Sequence, residues 1–176
     1  TYAGLSYGLK DNQAVYNVTL TEESPAAELR GHFISRGGSF EWMHGPAARA
    51  WLEGARLIIN EVSRASGDAL SFLLAILDDP ESARLTLPNG ETISPHENFT
   101  AIGTMNENPV ECLTPALRDR FPVTIHITEP HPAAIMRLPE DLRHAAMGSI
   151  KATEPERQAS VRVWLEFASL REELGI

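Results

Sequence analysis

Leu57-Ile58-Ile59-Asn60-Glu61, an apolar run closed by an amide and an acid, decides the fold class of this chain. A short run of branched apolar residues with polar ends is the pattern of a strand buried on both faces, as in parallel sheets. A parallel neighbour requires a crossover, and a helix pattern follows: Leu70, Leu73, Leu74 and Leu77 fall at i, i+3, i+4 and i+7 before Asp78-Asp79-Pro80 ends the stripe. At the carboxyl end of such a strand, polar side chains emerge into the crevice where open α/β sheets bind ligands. Glu61 is therefore placed to polarise a water, and Asn60 to hold a ligand or a metal-bound water.

Working outward, three more runs rich in β-branched residues read as strands, at 14–20, 99–105 and 123–127. Their alternation with helical patterns predicts an α/β sheet. Ser24-Pro25 supplies an N-cap and a first-turn proline for a short helix through Leu29. Asn89-Gly90, between two strand-like arms at 84–93, predicts a hairpin that projects from the sheet. Gly37-Gly38 and Gly45-Pro46 bracket a stretch with Phe40, Trp42 and Met43 that reads as a surface loop or small hairpin, with Trp42 a partner-contact candidate. After Pro130 and Pro132 the strand pattern stops. Helices are predicted at 139–150 and after the capping-box pair Thr153 and Glu156, the last with Val161, Trp164, Leu165 and Ala168 on one face. The boundary falls near Glu129 to Pro132, dividing the chain into 1–130 and 131–176.

The 176 residues suffice for one sizeable core and a small satellite. A hydrophobic share of 43% and a charged share of 22% predict a packed fold. A formal net charge of −9 argues against a broad grip on nucleic acid. The single Cys112 excludes an intrachain disulfide and points to a reducing cytoplasm. The six histidines show no H-x-x-x-H or H-x-H pairing, against a structural zinc site. No run approaches the ~20 apolar residues of a membrane span. The start at Thr1 lacks an initiator Met and reads as mid-helix, so the chain reads as a fragment or a renumbered longer chain.

A second strand ends Gly103-Thr104-Met105-Asn106-Glu107-Asn108-Pro109, and Thr114-Pro115 then opens a short helix closing on Arg118-Asp119-Arg120-Phe121. Taken in order, residues 54–66, 99–109 and 113–121 resemble the Walker B strand, sensor 1 strand and arginine-finger helix of AAA+ ATPases, closest to the dynein-related and MoxR-like branch. The resemblance implies a P-loop NTPase-type three-layer αβα core with a mostly parallel sheet over 1–130, and a small all-α lid over 131–176. It implies ATP and Mg²⁺ as cofactors. Glu61 would orient the attacking water, Asn106 would act as sensor, and Arg120, with Arg118 second, would reach the ATP of the next subunit. Arg162 would be the sensor 2 cation leaning on the phosphates. The partners so implied are like subunits in a homo-oligomeric ring and a protein substrate to be remodelled, with neither nucleic acid nor membrane.

Two departures accompany the resemblance. Asn60 stands where the family carries the Asp of its Asp-Glu pair, an amide without the charge that supports Mg²⁺. No G-x-x-x-x-G-K-[ST] loop occurs in the 176 residues. Thr1 is then read as the hydroxyl residue ending that loop, a nucleotide- and Mg²⁺-binding position. Plainer readings stand beside these: Glu61 as an i,i+3 ion pair with Arg64, Asn106 as a turn cap, Arg118 and Arg120 as a solvated helix end, and Arg162 as an exposed helix charge. Two rival functions follow, a hydrolysis-deficient structural or nucleotide-sensing subunit and a GTP-using motor of the restriction type.

Overall fold

The computed structural model describes residues 13–106, 113–152 and 158–175. The chain divides into two compact units, Thr1–Val123 and Thr124–Ile176. In the first, strand β1 (Val15–Thr19) is followed by helix α1 (Ala26–Arg30), strands β2 (Gly31–Arg36) and β3 (Ser39–His44), helix α2 (Pro46–Glu53) and strand β4 (Arg56–Asn60). A 3₁₀ turn (Val62–Arg64), helix α3 (Gly67–Ile76), the short strands β5 (Leu85–Thr86) and β6 (Thr92–Ile93), strand β7 (Thr100–Thr104) and helix α4 (Pro115–Asp119) complete it.

The main sheet is parallel, in the order β1-β4-β7. Central β4 explains the unbroken apolar run: Leu57, Ile58 and Ile59 are all fully buried. Leu57 and Ile59 join one core cluster with Ala26 and Leu29 of α1, Trp51 of α2 and Leu73 of α3, whereas Ile58 faces the other side with Arg56. The expected α/β class is the observed one. On α3 the buried face is Ala69, Phe72, Leu73 and Ile76, one position ahead of the leucine stripe, whose Leu70, Leu74 and Leu77 flank the core half-buried. Phe72 and Ile76 turned the helix; a leucine count alone overlooks them.

Several local expectations change. The α1 cap is Pro25, without a side-chain bond, because Ser24 Oγ accepts instead from the Thr21 amide at 3.0 Å. Around Gly37-Gly38 stands an ordered six-residue-per-strand hairpin, β2 and β3 in antiparallel register. Its two turn residues have φ of 60° and 88°, the left-handed pair a tight primed turn requires. The Asn89-Gly90 hairpin also forms, but Pro88-Asn89 are its central turn residues: the Gly90 amide donates to Leu87 O at 2.9 Å and Gly90 takes a φ of 87°. Proline fixes its own φ near −65°, which suits the first corner of an ordinary turn and leaves the left-handed bulge to glycine. Leu87 and Ile93 are buried, so this hairpin is anchored in the core as well as carrying an exposed tip.

Residues 123–127 form no strand: Val123, Ile125 and Ile127 are 73%, 77% and 75% exposed. Alternation specifies a strand only where a neighbouring ladder is available, and the described residues provide none there.

The second unit contains α5 (Pro132–Met136), α6 (Glu140–Ile150) and α7 (Val161–Leu174). Arg143 donates to Leu138 O and Met136 O, at 2.9 and 3.1 Å, satisfying carbonyls where α5 ends. Helix α7 is capped by Ser160, whose Oγ accepts from the Val163 amide; the Thr153 and Glu156 capping pair lies outside the described residues. Val161, Trp164, Leu165 and Ala168 do share its half-buried face, and the Trp164 indole donates to Ser149 Oγ at 2.6 Å. Phe167 is 47% exposed and meets Trp164 edge-on.

Candidate functional site

The site is built at the carboxyl ends of three parallel strands. Thr19, Asn60 and Thr104 are in register on β1, β4 and β7, and Asn17 lies two residues back on the face of Thr19. Asn60 Nδ2 donates to Asn17 Oδ1 at 2.6 Å, with Val18 O at 3.3 Å and Thr19 Oγ1 at 3.4 Å as further acceptors. Asn60 Oδ1 accepts from Thr104 Oγ1 at 3.1 Å. Asn17 and Thr104 went unnoticed in the sequence; the signal that could have found them is strand parity, which puts 17, 19, 60 and 104 on one face.

Glu61 follows directly. Its backbone is left-handed (φ 54°, ψ 43°), the single non-glycine residue with positive φ among the described residues. For a residue with a Cβ this conformation costs about 1–2 kcal/mol and persists where surrounding structure enforces it, often at functional sites. Here it ends the strand and starts the 3₁₀ turn, which returns Arg64 so that its Nε lies 3.5 Å from Glu61 Oε2. Glu61 Oε2 is buried and makes no hydrogen bond.

Asn106 lies two residues beyond the end of β7, exposed. Glu61 and Asn106 thus leave adjacent parallel strands at the same edge, strands about 4.8 Å apart.

Helix α4 is opened by Thr114, whose Oγ1 accepts from the Leu117 amide at 3.3 Å, with Pro115 in its first turn. Arg118 is exposed and has no side-chain partner among the described residues. Arg120 pairs with Asp78 at 3.2 Å, and its Nε is buried without an acceptor. Phe121 then packs against Gly103 on β7. A Cβ at Gly103 would stand 3.1 Å from Phe121 Cζ and 3.0 Å from Val62 Cγ1. The glycine lets the segment after Glu61, the strand before Asn106 and the end of α4 meet at one point, a role sequence reading missed. Arg162 is exposed at the start of α7 in the second unit. Thr1 lies outside the described residues.

The donor set fits a divalent cation poorly. Of the two positions expected to meet Mg²⁺, the one described is Asn60, a neutral amide whose oxygen already accepts the Thr104 hydroxyl. The neighbouring carboxylate, Glu61, is beside Arg64. No cluster of three or more His, Cys, Asp or Glu among the described residues could hold a metal ion.

An open cleft of about 680 Å³ lies away from these strand ends, beside strand β1, and is lined by Tyr16, Trp42, His44, Arg49 and Glu53 among others. The Tyr16 hydroxyl donates to Glu53 Oε2 at 2.6 Å, Arg49 Nε meets Glu53 Oε1 at 3.2 Å, and the guanidinium stacks over the Tyr16 ring at 4.9 Å. The tyrosine bond above all, with lesser help from the Arg49 bond and charge, holds the Glu53 carboxyl below its ordinary value, although desolvation, the second-largest cause, opposes it. Burial and the anionic Glu53 raise the Tyr16 phenol.

A parallel α/β sheet with polar residues gathered at its carboxyl edge is the arrangement in which open α/β folds, those of the P-loop NTPase type among them, bind ligands. The same fold is found in the crystal structure of a candidate ATPase from Cytophaga hutchinsonii, which superposes over 89% of this chain and 45% of its own length with a TM-score of 0.51 at 21% identity. Residues 4–121 match the family described as the AAA domain of the dynein-related subfamily, and the chain belongs to that family. It is 33% identical over 125 residues to Protein NorQ of Paracoccus denitrificans, covering 68% of this chain and 44% of the relative. It is 31% identical over 111 residues to the denitrification regulatory protein NirQ of Pseudomonas aeruginosa, covering 61% and 42%. The chain therefore spans less than half the length of these curated relatives.

Proposed function

We propose that this chain is part of an ATP-binding and ATP-hydrolysing AAA+ module that works in a ring of like subunits in the cytoplasm and remodels a protein partner. The observation that carries the reading is the convergence at one sheet edge of Glu61, strained into a left-handed conformation, and the strand leading to Asn106, with α4 locked to both through Gly103 and Phe121. In this reading Glu61 orients the attacking water and Asn106 hydrogen-bonds that water or the terminal phosphate. Arg120, with Arg118 second, crosses to the neighbour's nucleotide. Thr1 and Arg162 complete the phosphate contacts, and the helices of 131–176 act as the lid. Phosphoryl transfer asks mainly for positioned charge, and a guanidinium supplied in trans is worth ~10³ or more in rate. The Asn89-Gly90 and Gly37-Gly38 hairpins are the surfaces proposed to touch the partner. His44 Nε2 on one lies 3.0 Å from Glu91 Oε2 on the other, which supports treating them as one surface.

The Asn60 hydrogen bonds favour a second reading, a nucleotide-sensing or structural subunit that hydrolyses poorly. Phosphate release from ATP by the full-length protein, beside an Asn60→Asp variant, separates the two. Turnover by the wild type at a rate comparable to the variant supports the ATPase; turnover only in the variant supports the sensor.

A further inference from the structure

We infer that the carboxyl edge of this sheet holds nucleotide with little help from a divalent cation, because its strand ends close on one another through an uncharged clasp. The inference rests on the nucleotide reading above. The Asn60 amide bonds to both neighbouring strands, the nitrogen to Asn17 and the oxygen to Thr104, and no atom of the clasp carries a formal charge. The adjacent acid among the described residues, Glu61, has the Arg64 Nε 3.5 Å away, which offsets part of its charge. Magnesium is a hard cation that gives up water reluctantly and is drawn to protein by anionic oxygen. At this edge it meets a guanidinium and an amide oxygen that already accepts a hydroxyl proton.

The clasp also identifies the substitution that reverses the property. An aspartate at position 60 has nearly the shape of the asparagine. Thr104 still donates to it, and Asn17, with its amide turned over, presents Nδ2 where Oδ1 now lies, while the longer bond to Val18 O, at 3.3 Å, loses its donor. Asn60→Asp therefore adds one negative charge while keeping the two shortest bonds of the clasp, those to Asn17 and Thr104.

The test titrates the full-length protein with an N-methylanthraniloyl derivative of ATP, once with excess EDTA and once with millimolar Mg²⁺. The wild-type dissociation constant is expected to change by less than about threefold between the two buffers, and that of N60D by about tenfold or more. Should N60D fail to fold, Asn17→Asp places a carboxylate on the same clasp, with the Asn60 amide still its donor, and carries the same expectation. Strong cation dependence in the wild type, or none gained by the folded variants, overturns the inference alone. Failure of the wild type to bind the analogue in either buffer overturns the nucleotide reading, and the inference with it.

Discussion

Glu61 sits in a backbone conformation that a side chain with a Cβ adopts at a cost, and its proposed task depends on the carboxylate alone. Glu61→Gln keeps the shape and removes the base. Phosphate release is expected to fall by about 10² to 10⁴, with affinity for the ATP analogue within about threefold of wild type, since the substitution deletes a water-orienting group and no phosphate contact. Unchanged turnover would remove Glu61 from the mechanism. Gly103 tests packing at the same scale. A Cβ there would be tighter than ordinary contact with both Val62 and Phe121. Gly103→Ala is expected to destabilise the first unit by about 1–3 kcal/mol, the range for overpacking, read as a lower denaturation midpoint. A midpoint equal to wild type would show that Phe121 yields freely.

At the scale of elements, the hairpin β2-β3 depends on two consecutive left-handed residues, Gly37 and Gly38, with open space around both. Replacing both with alanine adds no clash and only backbone strain, about 1–2 kcal/mol for each residue. The measurement is the change in tryptophan emission on substitution, because Trp42, one of three tryptophans, meets Phe33 edge-on at 5.1 Å and reports whether the strands stay paired. An unaltered emission spectrum and midpoint would contradict the turn. In the second unit, the guanidinium of Arg171 forms a forked bond to Asp141 that holds the carboxyl below its ordinary value, the hydrogen bond being the largest cause. A depressed folded-state value contributes stability above the unfolded-state pKa, near 4, which is lost as pH falls through the folded value. Asp141→Asn is therefore expected to flatten the acid limb of α6 and α7 melting, followed by circular dichroism, and an acid limb identical to wild type would refute the link.

These elements also show what could be read beforehand. The parallel strands were legible because β4 is buried on both faces and its apolar run has no alternative, and α4 because Thr114 and Pro115 cap it locally. The β2-β3 hairpin was harder: its faces carry Phe33, Phe40 and Met43 exposed, so burial imposes no clean alternation on the sequence. Residues 123–127 misled in the opposite sense, with the alternation of a strand and no ladder. Within the site, Glu61 and Asn106 were visible as polar ends of apolar runs. Asn17, Thr104 and Gly103 were not, because each matters through a partner more than 40 residues away in sequence or on another element.

For the whole molecule, the ring reading makes a demand that no single subunit can satisfy. If Arg120 acts on the neighbour's nucleotide, then Arg120→Ala subunits keep an intact Glu61 and lack only what an adjacent subunit supplies. Mixing them with Glu61→Gln subunits, which retain the arginine, is expected to restore phosphate release well above the sum of the separate preparations. No gain on mixing assigns Arg120 to its pair with Asp78 within its own subunit. The meeting of Val62, Gly103 and Phe121 carries this further. Phe121 is one residue from the arginine that would engage next door, and Val62 is one residue from the acid that would act at home. If the ring reading holds, this meeting point would act like a gear tooth: a pull on one subunit's outgoing hand would turn its own catalytic wrist, and firing order around the ring would be set by touch.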